Sequence, residues 1–234
     1  MKSYKFKELS DYIYYLSEII ADTAKYKGRL ARYEKEIDNL FAELPNAKYI
    51  ETELFESVSD KTKAIFYYLF NLLGDEAKNA ISYRRFRKTL LRDSKTLKIK
   101  IPTLTSEEAQ ISNNLNKIRN WGLHIPESLL VSKRQFCKAD KAFIMTQSQT
   151  IPLPDFEYFE IEYLSTLKTD VADVIEAVNI LEKRMHKDYS ILIGSDFKLS
   201  PELMKVKPYI IMDVVQGSSD IQMGRTHNKA LKRN

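Results

Sequence analysis

Apolar residues recur every three or four positions along most of the chain, which is the period of an amphipathic helix. The first such stripe runs from Tyr4 to Leu44, with Gly28 as a candidate kink or break inside it. A second runs from about Glu53 to Leu73, and a third from about Glu76 to Asp93. The pattern therefore predicts three helices within the first hundred residues.

Two more helices are indicated farther along. Thr105 and Glu108 have the spacing of a capping box, so we expect a fourth helix to begin there and to stop near Gly122. The helical period is lost over about 125–156, which predicts a small β or irregular insertion. From Glu157 the stripe returns for about thirty residues and predicts the last long helix.

Together these patterns predict an all-α or mainly-α fold, an up-and-down bundle of four to five long helices. We expect one domain over residues 1–216, with short extended segments at about 189–216. Residues 217–234 contain little that could be buried, and they predict a flexible basic tail.

Composition agrees with a bundle, because 44% of the residues are hydrophobic and only 6 glycines and 7 prolines are present. No apolar run approaches the roughly 20 residues that cross a bilayer, so we expect no membrane partner. A single cysteine, Cys137, cannot form an internal disulfide, which favours a reducing, cytoplasmic location.

Several kinds of chemistry lack their sequence signatures. The chain has no glycine-rich phosphate loop and no Gly-x-Ser-x-Gly elbow. Three histidines and one cysteine provide no recognisable zinc spacing. We therefore expect neither a metal nor another cofactor.

The candidate chemistry lies in the run Arg119-Asn120-Trp121-Gly122-Leu123-His124, at the end of the fourth helix. Gly122 lets the chain turn, which can bring His124 back beside Arg119. A guanidinium can bind two phosphate oxygens and stabilise developing negative charge. An imidazole can move a proton at neutral pH, and the ribose 2′-OH of RNA is an internal nucleophile.

This run, an arginine, a polar residue, three further residues and a histidine at a helix end of an all-α bundle, resembles the motif of the HEPN superfamily. Many members of that superfamily are metal-independent endoribonucleases of toxin–antitoxin, abortive-infection and other phage-defence systems. The resemblance implies that Arg119 holds the scissile phosphate, that His124 is the acid or base, and that Asn120 orients them. It also implies a homodimer in which two motifs form one cleft.

A simpler interpretation stays open for the same residues. Arg119 would cap a helix C-terminus, where a cation suits the helix dipole, and His124 would be an ordinary loop residue. Trp121 would pack in the protein, anchor a dimer contact or stack on a base.

The segment from Lys78 to Lys100 is strongly basic, with nine lysines and arginines against one acid, Asp93. Charges interleaved with aromatic residues can follow an RNA backbone and stack on bases. The predicted RNA-binding residues are Arg84, Arg85, Arg87, Lys88, Arg92 and Trp121. The alternative is a solvated face paired with acids of the first helix, such as Glu34, Glu36 and Asp38.

The leading hypothesis is a homodimeric, metal-independent endoribonuclease with a bacterial defence, toxin or stress role, controlled by an antitoxin or another regulatory protein. The alternative is a non-catalytic HEPN-like module that binds RNA or a protein in a mobile element or defence system. The third hypothesis is a helical structural protein of a mobile element with no RNA contact.

Overall fold

The structure is a computed structural model that describes residues 4–77, 80–123 and 156–200, and only the backbone of residues 121–123. Five helices and two short strands lie in these ranges. In chain order they are α1 (Leu9–Glu43), β1 (Tyr49–Glu51), α2 (Thr52–Gly74), α3 (Tyr83–Asp93), α4 (Ser106–Leu123), β2 (Tyr158–Glu160) and α5 (Ile161–Ile193). The helices pack against one another, which confirms the mainly-α prediction.

Helix α1 provides one side of the core and packs chiefly against α5 and α2. At about 1.5 Å per residue, its 35 residues span roughly 50 Å. The expected break at Gly28 is wrong, because α1 continues through it and a Cβ there would meet nothing within 4 Å. Tyr163, which the sequence placed in the stripe of the last helix, is 55% exposed. The buried members of the predicted stripes include Leu16, Ile20, Leu30 and Ile37 of α1 and Val171, Val178, Leu181 and Met185 of α5.

Helix α3 is shorter than predicted, because it begins at Tyr83 rather than near Glu76. Ser82 has extended backbone angles and its hydroxyl accepts a hydrogen bond from the Arg85 N–H at 3.2 Å, so it is the N-cap. The same hydroxyl donates to the Asp75 carbonyl. This contact joins the residue after α2 to the N-cap of α3.

The capping box that opens α4 is confirmed. The Thr105 N–H donates to Glu108 Oε2 at 2.8 Å, and the Glu108 N–H donates to Thr105 Oγ1 at 3.1 Å. The prediction of extended structure is wrong for 189–193, which form the last turn of α5. Gly194 ends that helix in the left-handed conformation, with φ of 72°.

Strands β1 and β2 form an antiparallel ribbon that the sequence patterns did not predict. Each strand leads directly into a helix, β1 into α2 and β2 into α5, so the two helices begin side by side. Ile50 of β1 is buried beneath the ribbon. The ribbon therefore fixes two helix N-termini at one end of the bundle.

All seven elements belong to one compact unit, which ends at Asp196. The expected domain end at residue 216 lies outside the described residues and stays a prediction. A second unit, Phe197–Asn234, is described only over 197–200. The expected insertion up to residue 155, the extended segments of 201–216 and the tail lie outside the described residues. In the described ranges, no helix is both long enough and apolar enough to cross a membrane.

Candidate functional site

Arg119 and Asn120 lie near the C-terminal end of α4, which ends at Leu123. The backbone of Trp121 continues this helix, and its side chain is not described. His124 lies outside the described residues, so its approach to Arg119 stays a prediction. The described part of the site therefore consists of Arg119 and the side chains around it.

The Arg119 guanidinium is held by three polar side chains. Its Nε donates to Asn71 Oδ1 at 2.9 Å, its Nη2 to Asp75 Oδ2 at 2.8 Å and its Nη1 to Asn120 Oδ1 at 2.9 Å. We call Asn71, Asp75 and Asn120 the Arg119 cage. The Arg119 side chain is 22% exposed, so the group is oriented and still reaches the surface.

The two α2-side members of the cage are fixed by further hydrogen bonds. Asn71 Nδ2 donates to the Tyr67 carbonyl at 2.8 Å, which leaves the amide oxygen for Arg119. Asp75 is buried, and its second carboxylate oxygen accepts the Ala77 N–H at 2.8 Å. The end of α2 therefore presents a preformed acceptor pair to the arginine.

Close packing of α2 on α4 aligns the cage with Arg119. Gly74 lies against the α4 backbone, and a Cβ at that position would be 2.9 Å from the Asn116 nitrogen. Only a glycine permits this approach without a shift of one helix. This close approach of α2 and α4 places Asn71, in the last turn of α2, and Asp75, which follows α2, within hydrogen-bond distance of Arg119.

Arg84, the first arginine of the basic segment, also lies close to the Arg119 cage. Glu76, the residue after Asp75, forms an ion pair with Arg84, and Arg84 Nη1 donates to Asn113 Oδ1 of α4 at 2.7 Å. Two consecutive carboxylates thus bind two arginines from different helices. The structure brings Arg84 and Arg119 together around the connection between α2 and α3.

The other predicted RNA-binding residues of α3 differ in their surroundings. Arg85 is half-buried and its Nη1 donates to the Ala80 carbonyl at 2.7 Å. Lys88 is exposed. Arg92 is 73% exposed and binds Asp93 through two hydrogen bonds of 2.8 and 2.9 Å. Lys88 and Arg92 are therefore the α3 cations best placed to meet a partner from solvent.

The prediction that Arg87 binds RNA is wrong, because this residue lies inside the protein and not on a binding surface. Its residue exposure is 4%, its Nη1 pairs with Asp188 of α5, and its Nη2 donates to the Pro102 carbonyl at 2.7 Å. The charge that suggested RNA contact is neutralised by a carboxylate 101 positions away in the sequence. Arg87 joins α3 to α5 instead.

Arg87 is one part of a buried ionic network that the sequence patterns did not reveal. Asp188 also pairs with Arg184 Nε at 3.0 Å, and Arg184 lies 3.6 Å from the Glu108 carboxylate of α4. The Tyr83 hydroxyl donates to Asp188 at 2.8 Å. Burial and the Asp188 charge raise the pKa of the Tyr83 phenol, so the hydroxyl stays a neutral donor. The network fastens three helices together.

Two acids of α1 do not pair with α3, contrary to the alternative interpretation of the basic segment. Glu36 binds Lys61 of α2 at 2.8 Å, and Asp38 binds Lys168 of α5 at 2.5 Å. The exposed charges of α3 are therefore not neutralised by Glu36 or Asp38.

The described ranges contain no group of three or more histidine, cysteine or carboxylate side chains that could hold a metal ion. Comparisons of the chain with protein-family models, curated proteins and solved structures find no significant match. The case for a function therefore depends on the residues themselves.

Proposed function

We propose that this protein is an endoribonuclease of the HEPN type, which cleaves RNA through the ribose 2′-OH. The observation that carries the proposal is the preorganised guanidinium of Arg119. A guanidinium has five N–H groups, and the Arg119 cage accepts from three of them. Among the described residues, no acceptor binds the second N–H of either terminal nitrogen, and two such N–H groups are the number needed to bind two oxygens of a phosphate.

In the proposed step, the 2′-oxygen attacks the adjacent phosphorus and the bond from phosphorus to the 5′-oxygen breaks. One imidazole takes the 2′-OH proton and a second gives a proton to the leaving oxygen, so no other reactant is needed. Arg119 stabilises the charge that develops on the phosphoryl oxygens. His124 from each copy of a homodimer would supply the two imidazoles. The products are a 2′,3′-cyclic phosphate and a 5′-hydroxyl.

The remaining surface charge supports an RNA substrate. Lys88 and Arg92 are exposed on α3, and Arg84 lies close to the Arg119 cage. Such cations bind phosphates without reading sequence and make affinity depend on salt. The cytoplasmic location belongs to the same proposal and rests on the single cysteine, Cys137. The bacterial defence, toxin or stress role and control by an antitoxin or regulatory protein rest on the HEPN resemblance.

Cleavage of a mixed RNA pool by the purified protein in a chelator tests the proposal. Arg119→Ala and His124→Ala should each lower the rate about a hundredfold or more, because both groups act in the transition state. Lys117→Ala is the matched control, since Lys117 is an exposed cation on the same helix. Equal rates for Arg119→Ala, His124→Ala and the wild type would refute the nuclease proposal.

One observation favours a second candidate, a non-catalytic module that binds RNA. The charge of Arg119 is already opposed by Asp75, as in an arginine that only fastens two helices. This candidate predicts salt-dependent RNA binding without cleavage, lost on charge reversal at Arg84, Arg85 and Lys88. Arg87 is left out of this test because it is buried. A gel shift run beside the cleavage assay separates the two candidates.

A further inference from the structure

The β1–β2 ribbon has an outer face that the proposed nuclease does not use. The register pairs Tyr49 with Glu160 and Glu51 with Tyr158. Side chains alternate along a strand, so these four residues share one face of the ribbon. We call them the Tyr–Glu face.

The two strands that form this face have similar short sequences. Residues 49–53 read Tyr-Ile-Glu-Thr-Glu, and residues 158–162 read Tyr-Phe-Glu-Ile-Glu. Each strand thus carries a tyrosine, an inward apolar residue and a glutamate, followed by a second glutamate in the first turn of the next helix. Because the strands run antiparallel, the two copies form a nearly two-fold arrangement.

Aromatic exposure is concentrated at this end of the bundle. Tyr49, Phe156, Tyr158 and Tyr163 are 59%, 59%, 51% and 55% exposed, and Leu54 beside them is 43% exposed. Phe159 packs on Phe55 at a ring distance of 4.8 Å, which anchors the ribbon from below. Exposed apolar groups gathered in this way are typical of an interaction surface.

The charge of this end is opposite to that of the whole chain. Residues 48–56 and 156–163 contain six glutamates and one lysine, a net charge of −5, whereas the chain carries +5. A cleft of about 430 Å³ lies here, lined by four of the glutamates together with Thr52, Phe156 and Tyr158. Carboxylates at helix N-termini suit the helix dipole, but the dipole does not explain the exposed rings beside them.

We propose that the Tyr–Glu face binds a basic polypeptide segment of a partner protein. An arginine can stack on a tyrosine ring and pair with a neighbouring carboxylate, and this face places a tyrosine opposite a glutamate twice. Among the described residues, each strand of the ribbon has one edge without a strand partner, so an extended segment can also add to the sheet. Nucleic acids and anionic membranes are repelled by the same charge. This inference does not depend on the nuclease proposal.

Fluorescence anisotropy of a labelled nona-arginine peptide with the full chain tests the inference. Because the chain is net positive, long-range attraction cannot account for binding, and only a local acidic surface can. We expect saturable binding at low salt. Tyr49→Ser with Tyr158→Ser, and separately Glu51→Gln with Glu160→Gln, should each weaken binding about tenfold or more, a loss of the size expected for stacked or paired arginines.

The matched control is Glu18→Gln with Glu107→Gln, which removes two exposed carboxylates from other helices. Circular dichroism and the melting temperature of each variant verify folding. Absence of binding to the wild type, or equal loss in the control pair, overturns the inference. Concentration-dependent self-association that disappears in the Tyr49/Tyr158 variant would also overturn it, because the occupant would then be a second copy of this chain.

Discussion

The Nη2 of Arg119, near the end of α4, donates a hydrogen bond to Oδ2 of Asp75, which follows the end of α2, at 2.8 Å. The Asp75 side chain is 9% exposed and the Arg119 side chain 22%, so the pair lies at the border between core and solvent. Asp75 therefore fixes the direction of the guanidinium and leaves part of it accessible.

Removing the Asp75 charge should reduce activity more than stability. Asp75→Asn keeps the shape of the side chain, and we expect a loss of about 1–3 kcal/mol in the free energy of unfolding. Misplacement of Arg119 should lower the RNA-cleavage rate about a hundredfold. Val58→Ala, a core truncation in α2, is the stability control. If Asp75→Asn and Val58→Ala lose activity only in proportion to unfolding, Asp75 has no positioning role.

Substitution of two glycines should have opposite effects. Gly74→Ala places a Cβ 2.9 Å from the Asn116 nitrogen and should cost about 1–3 kcal/mol through overpacking. Gly28→Ala meets nothing within 4 Å inside α1 and should stabilise by about 0.5–1 kcal/mol. Urea unfolding of both variants measures the difference. A Gly74→Ala variant as stable as the wild type would contradict the close approach of α2 and α4.

Arg87 and Lys88 are neighbours in sequence with different predicted phenotypes. Arg87→Ala leaves Asp188 buried with one cation fewer and should cost about 3–5 kcal/mol in the free energy of unfolding. Lys88→Ala should leave stability unchanged and reduce the slope of log affinity against log salt by about 1. Thermal unfolding and RNA titrations at several salt concentrations check both. The reverse pattern would place Arg87 at the surface and contradict the structure.

Low pH should weaken the hydrogen bond between Tyr12 of α1 and Asp93 of α3. Hydrogen bonds from Arg92 and from the Tyr12 hydroxyl lower the pKa of Asp93 to about 2, below the value of about 3.9 in an unfolded chain. Because the folded pKa is the lower one, this stabilisation is present above pH about 4 and is lost as pH falls toward 2. The stability difference between wild type and Asp93→Asn should therefore shrink over that range, as followed by urea unfolding. A difference that does not depend on pH would contradict the assigned contacts.

Local patterns predicted the parts of the fold that local interactions determine. The stripe of α1, the capping box of Thr105 and Glu108, and the core positions of α5 all follow from spacing alone. The prediction of extended structure over Ser190–Ile193 is wrong because its isoleucines favour strands by residue type, whereas Leu192 continues the buried stripe of α5. Gly194 is the better indicator of structure here, because a glycine commonly follows the last residue of a helix.

Contacts between residues far apart in the sequence could not be predicted from local patterns. Strand β1 has three residues, and its partner lies more than 100 positions away. Asp188, which pairs with the buried Arg87, is 101 positions away from it in the sequence. Asn71 and Asp75, which hold Arg119, are 48 and 44 positions away. The arginine of the motif was predicted from spacing, but its orientation by Asn71 and Asp75 depends on how α2 packs against α4.

The rate at which the purified protein cleaves RNA in a chelator, compared with a 2′-deoxy oligonucleotide of the same sequence, is the most direct test of the proposed nuclease. We expect cleavage of the RNA to 2′,3′-cyclic phosphate ends, no cleavage of the 2′-deoxy strand, and about a hundredfold loss of rate in Arg119→Ala with Lys117→Ala unchanged. Cleavage of both strands, or RNA cleavage that survives in Arg119→Ala, would contradict it.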